Sequence, residues 1–182
     1  MDQFDGEEYQ ARFDALAAKG VDVHGEASLI RSFDPVSVLD AGCGTGRVAI
    51  ELARHGIEVV GVDVDNSMIA EAKRRAPELS WNLQDLATLK LGRTFDIVAL
   101  PGNVPIFCPE EDRPALIRSC AEHVAPGGRL IAGFQLKRGY ALALFDQGCR
   151  DAGLTLESRF STWQGTPFNE GDDYAVSLYR RL

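Results

Sequence analysis

Val38-Leu39-Asp40-Ala41-Gly42-Cys43-Gly44-Thr45-Gly46-Arg47 decides the fold: an apolar strand runs into three alternating glycines and then into a helix start. Glycine permits the tight turn and a close backbone approach to a ligand, and the first free N–H groups of the helix face whatever sits there. A glycine loop alone is weak evidence. This one follows the first predicted strand, opens a helix, and is followed 21 positions after Gly42 by Asp63 at the end of the second strand. A carboxylate at that place accepts both hydroxyls of a ribose, so the loop reads as the seat of a nucleoside-bearing ligand.

Outward from this loop, short β-branched runs alternate with helical patterns, which predicts βαβ units and a mostly parallel sheet. Val36 to Asp40 is strand one, and a helix from Arg47 ends at Gly56. Strand two is Glu58 to Val62, and a helix capped by Asp65 or Asn66 stops before Pro77. Leu79 to Leu83 and Phe95 to Leu100 are strands three and four. A helix capped by Asp112 shows Leu116, Ile117, Cys120, Ala121 and Val124 on one side and ends at Pro126-Gly127-Gly128. Strand five is Arg129 to Gln135, a helix runs from Tyr140 to Ala152, and Leu154 to Trp163 with Tyr174 to Tyr179 forms a long hairpin. Two helical patterns precede the sheet, one aligning Tyr9, Phe13 and Leu16, the other ending near Ile30 and Phe33.

With 182 residues, 45% hydrophobic and 25% charged, the chain is expected to close one core as a single domain, residues 1–182. The opening stretch Met1 to Glu8 has no basic or apolar run, and no ~18 apolar residues follow one another, so a cytoplasmic chain with no membrane partner is expected. Cys43, Cys108, Cys120 and Cys149 lie far apart and read as free, mostly buried thiols. The net charge of −8 argues against a nucleic-acid partner, because such binders cluster Lys and Arg against phosphates. Lys73-Arg74-Arg75 reads as a solvated helix end whose cations suit the dipole. No His, Cys or carboxylate cluster has metal-ligand spacing, so no metal is expected.

The glycine fingerprint also serves nicotinamide dinucleotides, but two residues disfavour that ligand. Arg47 stands where a small residue should permit close helix packing, and Asp40 places a carboxylate where a pyrophosphate would be repelled. A ligand bearing an ammonium group welcomes Asp40.

Five segments together resemble the class I S-adenosylmethionine-dependent methyltransferases: Val38 to Gly46, Val60-Gly61-Val62-Asp63, Gln84-Asp85-Leu86, Phe95-Asp96-Ile97-Val98 and Val124-Ala125-Pro126-Gly127-Gly128. The resemblance implies a Rossmann-like, doubly wound seven-stranded sheet in three α/β/α layers, mostly parallel with an antiparallel last strand. It divides the chain into an N-terminal helical lid, 1–34, and a core, 35–182. It implies S-adenosylmethionine as cofactor, released as S-adenosylhomocysteine. Asp40, Gly42, Cys43, Gly44 and Gly46 would meet it through the loop, Asp63 at the ribose, and Val64, Met68, Gln84, Asp85 and Leu86 around the adenine, with Pro101 after strand four.

Leu100-Pro101-Gly102-Asn103 departs from the Asn/Asp-Pro-Pro-aromatic signature of many amino-group methyltransferases of nucleic acid and protein. With the acidic charge, this makes a small-molecule acceptor the expected partner. Tyr9, His24 and Asn103 are candidates to border the acceptor; each also has a plain packing, capping or turn role. Trp163 and Phe168 read as loop residues. A protein that holds the cofactor without transferring from it, and a nicotinamide-dependent oxidoreductase, are the alternatives.

Overall fold

A computed structural model of the chain describes residues 5–20 and 22–182. Met1 to Phe4, part of the opening stretch read above, and Val21 lie outside the described residues. Helix α1 (Gly6–Ala18) starts where the Asp5 carboxylate accepts the N–H groups of Glu7 and Glu8, both at 3.0 Å. Helix α2 (Gly25–Arg31), strand β1 (Ser37–Ala41) and helix α3 (Arg47–Arg54) follow. Strand β2 (Glu58–Asp63) leads to helix α4 (Asn66–Arg75), capped by Asp65, and to strand β3 (Ser80–Leu83). A 3-10 turn, Leu86–Thr88, precedes strand β4 (Phe95–Leu100) and the short helix α5 (Val104–Phe107). Helix α6 (Arg113–Glu122), strand β5 (Val124–Gln135), helix α7 (Leu142–Asp151), strand β6 (Leu154–Phe160) and strand β7 (Tyr174–Arg181) complete the order.

The seven strands form one sheet in the order β3-β2-β1-β4-β5-β7-β6. β1 to β5 are parallel and β7 is antiparallel to both its neighbours. The order reverses between β1 and β4, the place where open α/β sheets leave a crevice at the carboxyl ends of their strands. Alternation along each strand divides the core. Leu39, Val98, Leu130 and Tyr179 pack with Leu116, Cys120 and Phe145 of α6 and α7. Val38, Ile97, Ile131 and Leu178 pack with Ile30, Ala49, Leu52 and Ile69 of α2, α3 and α4. Three layers result, as expected.

Several boundaries differ from the sequence reading. α6 stops at Glu122, and Val124 starts β5 rather than closing the helix, because the His123 carbonyl accepts the Phe95 N–H at 2.8 Å and Val124 pairs with Phe95. Pro126-Gly127-Gly128 therefore lies within the strand at a register shift. A Cβ on Gly128 would lie 2.8 Å from the Asp96 carbonyl oxygen. β6 ends at Phe160, and Trp163 is buried in the core instead of sitting in a solvated loop. The buried positions of α1 are Gly6 and Gln10, while Leu16 is exposed, so the packed face is small and polar rather than apolar. The four cysteines are free thiols, and three of them are buried. Among the described residues no helix is long and apolar enough to cross a membrane.

Candidate functional site

A cleft opens at the carboxyl ends of β1 and β4, lined by Tyr9, Gly42, Cys43, Gly44, Thr45, Arg47, Val48, Pro101 and Gly102. Its floor is the glycine loop. The N–H groups of Gly42 and Cys43 both bond the Val62 carbonyl, at 2.8 and 2.9 Å, which ties the loop to the end of β2. Gly44 has φ +53, and a Cβ there would face Tyr9 Cε1 at 3.8 Å and Met68 Sδ at 4.0 Å, so its bare backbone looks into the cleft. Gly46 has φ +79 and backs onto a buried indole: an added Cβ would meet Trp81 at 2.4 Å. Trp81 is held by Nε1 donating to the Ala76 carbonyl at 2.7 Å. Sequence reading did not single it out; its signal was one large aromatic on a short strand opposite two glycines, since Gly61 leans on the same ring.

Two carboxylates sit below and beside the loop. Asp40 is fully buried; its Oδ2 accepts the Ala49 N–H in the first turn of α3 at 3.1 Å, where the helix dipole favours a negative charge. Its Oδ1 is buried without a hydrogen-bond partner. Burial pushes the carboxyl up to about 7, opposed by the Ala49 N–H and the Arg47 charge. Asp63 is half-buried: Oδ2 accepts the Gly44 N–H at 2.8 Å and Oδ1 accepts the Asp65 N–H at 2.9 Å. Burial raises its pKa too, against these two N–H groups.

Beyond Asp63 the strand ends carry an exposed apolar Val64 and Leu83 and a buried Met68. The Gln84 N–H bonds the Asp63 carbonyl at 3.0 Å, bringing Gln84 and Asp85 alongside Val64. The Asp85 carboxylate accepts the Ala87 N–H at 2.8 Å and caps the 3-10 turn. The Leu86 side chain is buried in the core under α6. Burial holds the Cys43 thiol well above its ordinary value, which makes it filler rather than nucleophile.

The three acceptor-side candidates separate. Tyr9 lines the cleft above Gly44. Asn103 follows the cleft-lining Gly102 but is not itself among the lining residues; it has φ +70, and its Oδ1 accepts the Gln135 N–H at 2.8 Å, which ties the ends of β4 and β5. His24 is not among the cleft-lining residues. It starts α2, with Nδ1 3.9 Å from Glu51 Oε2, too long for a hydrogen bond.

Arg75, expected in a solvated helix end, turns inward instead. Its Nη1 donates to Gln10 Oε1 at 2.9 Å and to the Thr45 carbonyl at 3.0 Å, while Thr45 Oγ1 donates to Gln10 Oε1 at 2.7 Å. Sequence offered no signal for this, because the three groups meet only through packing of α1 on α4.

Comparison with known proteins places these features. Residues 38–128 match a family described as a methyltransferase domain. A TehB-like SAM-dependent methyltransferase from Corynebacterium glutamicum superposes with a TM-score of 0.92 at 34% identity, covering 97% of this chain and 98% of that one. A dTDP-3-amino-3,4,6-trideoxy-alpha-D-glucopyranose N,N-dimethyltransferase from Streptomyces venezuelae is 30% identical over 126 residues, 68% of this chain and 52% of that protein. A ubiquinone biosynthesis O-methyltransferase from Coxiella burnetii is 39% identical over 102 residues, 52% of this chain and 41% of that protein. The chain thus spans about half the length, or less, of these two curated relatives.

Proposed function

This chain belongs to the class I S-adenosylmethionine-dependent methyltransferase family, whose cofactor is S-adenosylmethionine, and from that premise we propose that it methylates a small-molecule acceptor. The observation that carries the reading is the buried, unpartnered Oδ1 of Asp40 under a loop whose Gly44 backbone is open to the cleft. A buried carboxylate oxygen without a partner is costly, and the ammonium of the cofactor's methionine end is the kind of group that satisfies it. The residues present therefore fit the cofactor.

In this reading Asp40 faces the ammonium, and Gly42, Cys43, Gly44 and Gly46 pass the backbone under the methionine chain. Asp63, already oriented by the Gly44 and Asp65 N–H groups, accepts the ribose hydroxyls. Val64, Met68, Gln84, Asp85 and the backbone at Leu86 surround the adenine, and Pro101 borders the reacting end. S-adenosylmethionine supplies a sulfonium-bound methyl group, transferred by in-line displacement. The chain's own residues align acceptor and donor and exclude water, which supplies roughly 7–11 kcal/mol where the geometry is good. No strong base is required, and among the described residues that line the cleft there is no His, Lys, Asp or Glu. Helices α1 and α2, within the N-terminal segment read as 1–34, act as a lid on a core of residues 35–182. The acidic surface, with its net charge of −8, favours a small acceptor over a polyanion.

Thermal melts with S-adenosylhomocysteine, S-adenosylmethionine and NADH test the cofactor, since a ligand at ~100 times its Kd adds about 2.7 kcal/mol. For a domain of this size the adenosyl pair should raise Tm by roughly 5–10 °C. Stabilisation by NADH alone would overturn the reading. For the acceptor, labelled cofactor with a metabolite extract should label small products; label found only in RNA or protein would refute a small-molecule acceptor.

A further inference from the structure

Arg47 is the first residue of α3, where the helix's positive end disfavours a cation; no acidic residue lies in that turn and Gly46 supplies no side-chain cap. Nothing in α3 itself accounts for a guanidinium there. Among the described residues its hydrogen-bond and ring partners come from the N-terminal segment. Nη1 and Nη2 take the two carboxylate oxygens of Glu26 in α2 at 2.9 and 2.6 Å, and Nη1 also bonds the Val23 carbonyl. The guanidinium carbon lies 4.5 Å over the ring of Phe13 in α1. The Arg47 and Glu26 side chains are only 13% and 16% exposed, so solvent screens this pair weakly. A two-pronged, partly buried pair that also stacks on an aromatic ring uses what arginine has and lysine lacks.

Phe13 lies one helical turn from Tyr9, with ring centroids 5.2 Å apart, and Tyr9 covers Gly44. Arg47 lines the same cleft. We propose that Arg47 is a positioning residue for methyl transfer: by gathering Phe13, Val23 and Glu26 around one guanidinium, it sets α1 and α2 over the cleft and holds Tyr9 above the bound cofactor. This rests on the function proposed above. It adds a role that the glycine motif does not contain, since the loop binds through its backbone and Arg47 acts through other residues.

Hydrogen exchange and S-adenosylhomocysteine binding kinetics test it on the full chain. In Arg47→Lys, exchange over residues 6–31 should accelerate about tenfold in the ligand-free protein, with the 37–41 and 95–100 strands unchanged. S-adenosylhomocysteine should leave about tenfold faster at unchanged association rate, as expected when a contact made after encounter is lost. Glu26→Gln should act in the same direction, and the Arg47→Met, Glu26→Gln double variant should be no worse than Arg47→Met alone. Unchanged exchange over residues 6–31, acceleration that spreads to the strands, fully additive variants or an unchanged dissociation rate would each overturn the proposal. If the unaltered chain bound no S-adenosylhomocysteine, the function reading would fail, while the ligand-free exchange and the double variant would still decide whether Arg47 sets the two helices.

Discussion

The cleft has a floor and a roof built on different principles. The floor, from Val38 to Gly46, is backbone: parallel strand pairing, loop N–H groups on the Val62 carbonyl, and a glycine pressed against the Trp81 ring. The roof is held by side chains: α1 through Gln10 to Thr45 and Arg75, and α2 through Glu26 to Arg47 and through Ala27 and Ile30, which root it in the core. Backbone ladders inside a packed sheet open only with global unfolding, whereas α1, whose buried positions are only Gly6 and Gln10, opens locally at lower free energy. The difference teaches that a rigid seat for the cofactor and a releasable cover coexist on one loop, gripped at Thr45 from α1 and at Arg47 from α2.

The comparison breaks most visibly at the floor. Gly46→Val places a side chain against Trp81 at positive φ and should cost about 3 kcal/mol by overpacking and backbone strain, read as the loss of stability in urea. Next comes Asp63→Ala, which removes a charge-assisted hydrogen bond and should weaken S-adenosylhomocysteine binding by roughly 1.5–3 kcal/mol in calorimetry.

Asp40 sharpens the contrast through pH. Burial raises its carboxyl from 3.8 to about 7, so the folded state favours the protonated form. Its contribution to stability is therefore fully present below pH ~4 and is lost as pH rises through about 7. Asp40→Asn should raise Tm at about pH 8, with the gain gone by about pH 4, while abolishing the tight binding of S-adenosylhomocysteine. In the unaltered protein the ligand's ammonium favours ionised Asp40, so affinity should climb with pH up to about 7 and level off above it. Calorimetry in buffers of different ionisation heat should show proton uptake by buffer on binding below that pH.

The smallest effect belongs to the roof. Gln10→Ala should cost ~1 kcal/mol or less of global stability, because Arg75 keeps the Thr45 carbonyl. Its signature is faster hydrogen exchange confined to residues 6–18; a global loss as large as that of Gly46→Val would erase the distinction between floor and roof.

The floor was legible in the sequence because its signals are local. β-branched alternation makes strands, Gly56 ends α3, and the distance from Gly42 to Asp63 follows from the length of one strand–helix–strand unit. Asp40 was recognised as a charge near the ligand, but not as a carboxylate with one oxygen on the Ala49 N–H and the other unpartnered; that depends on how α3 settles on β1. The two roof helices were legible as helical patterns, but the contacts that seat them were not. α1 packs through Gly6 against the Ser67 carbonyl and through Gln10, positions that the aligned Tyr9, Phe13 and Leu16 do not announce.

Local chemical preferences by themselves determined the parallel sheet, the glycine loop, the carboxylate that ends β2 and the antiparallel hairpin at the end. Tertiary structure alone decided that Arg75 leaves solvent for Thr45, that Trp163 enters the core over Gly133, that His24 stands away from the cleft beside Glu51, and that Arg47 faces the N-terminal helices. The physical reason is range: strand, turn and cap preferences act within a few residues, whereas these contacts join groups 21 to 30 positions apart and exist only once the layers have packed.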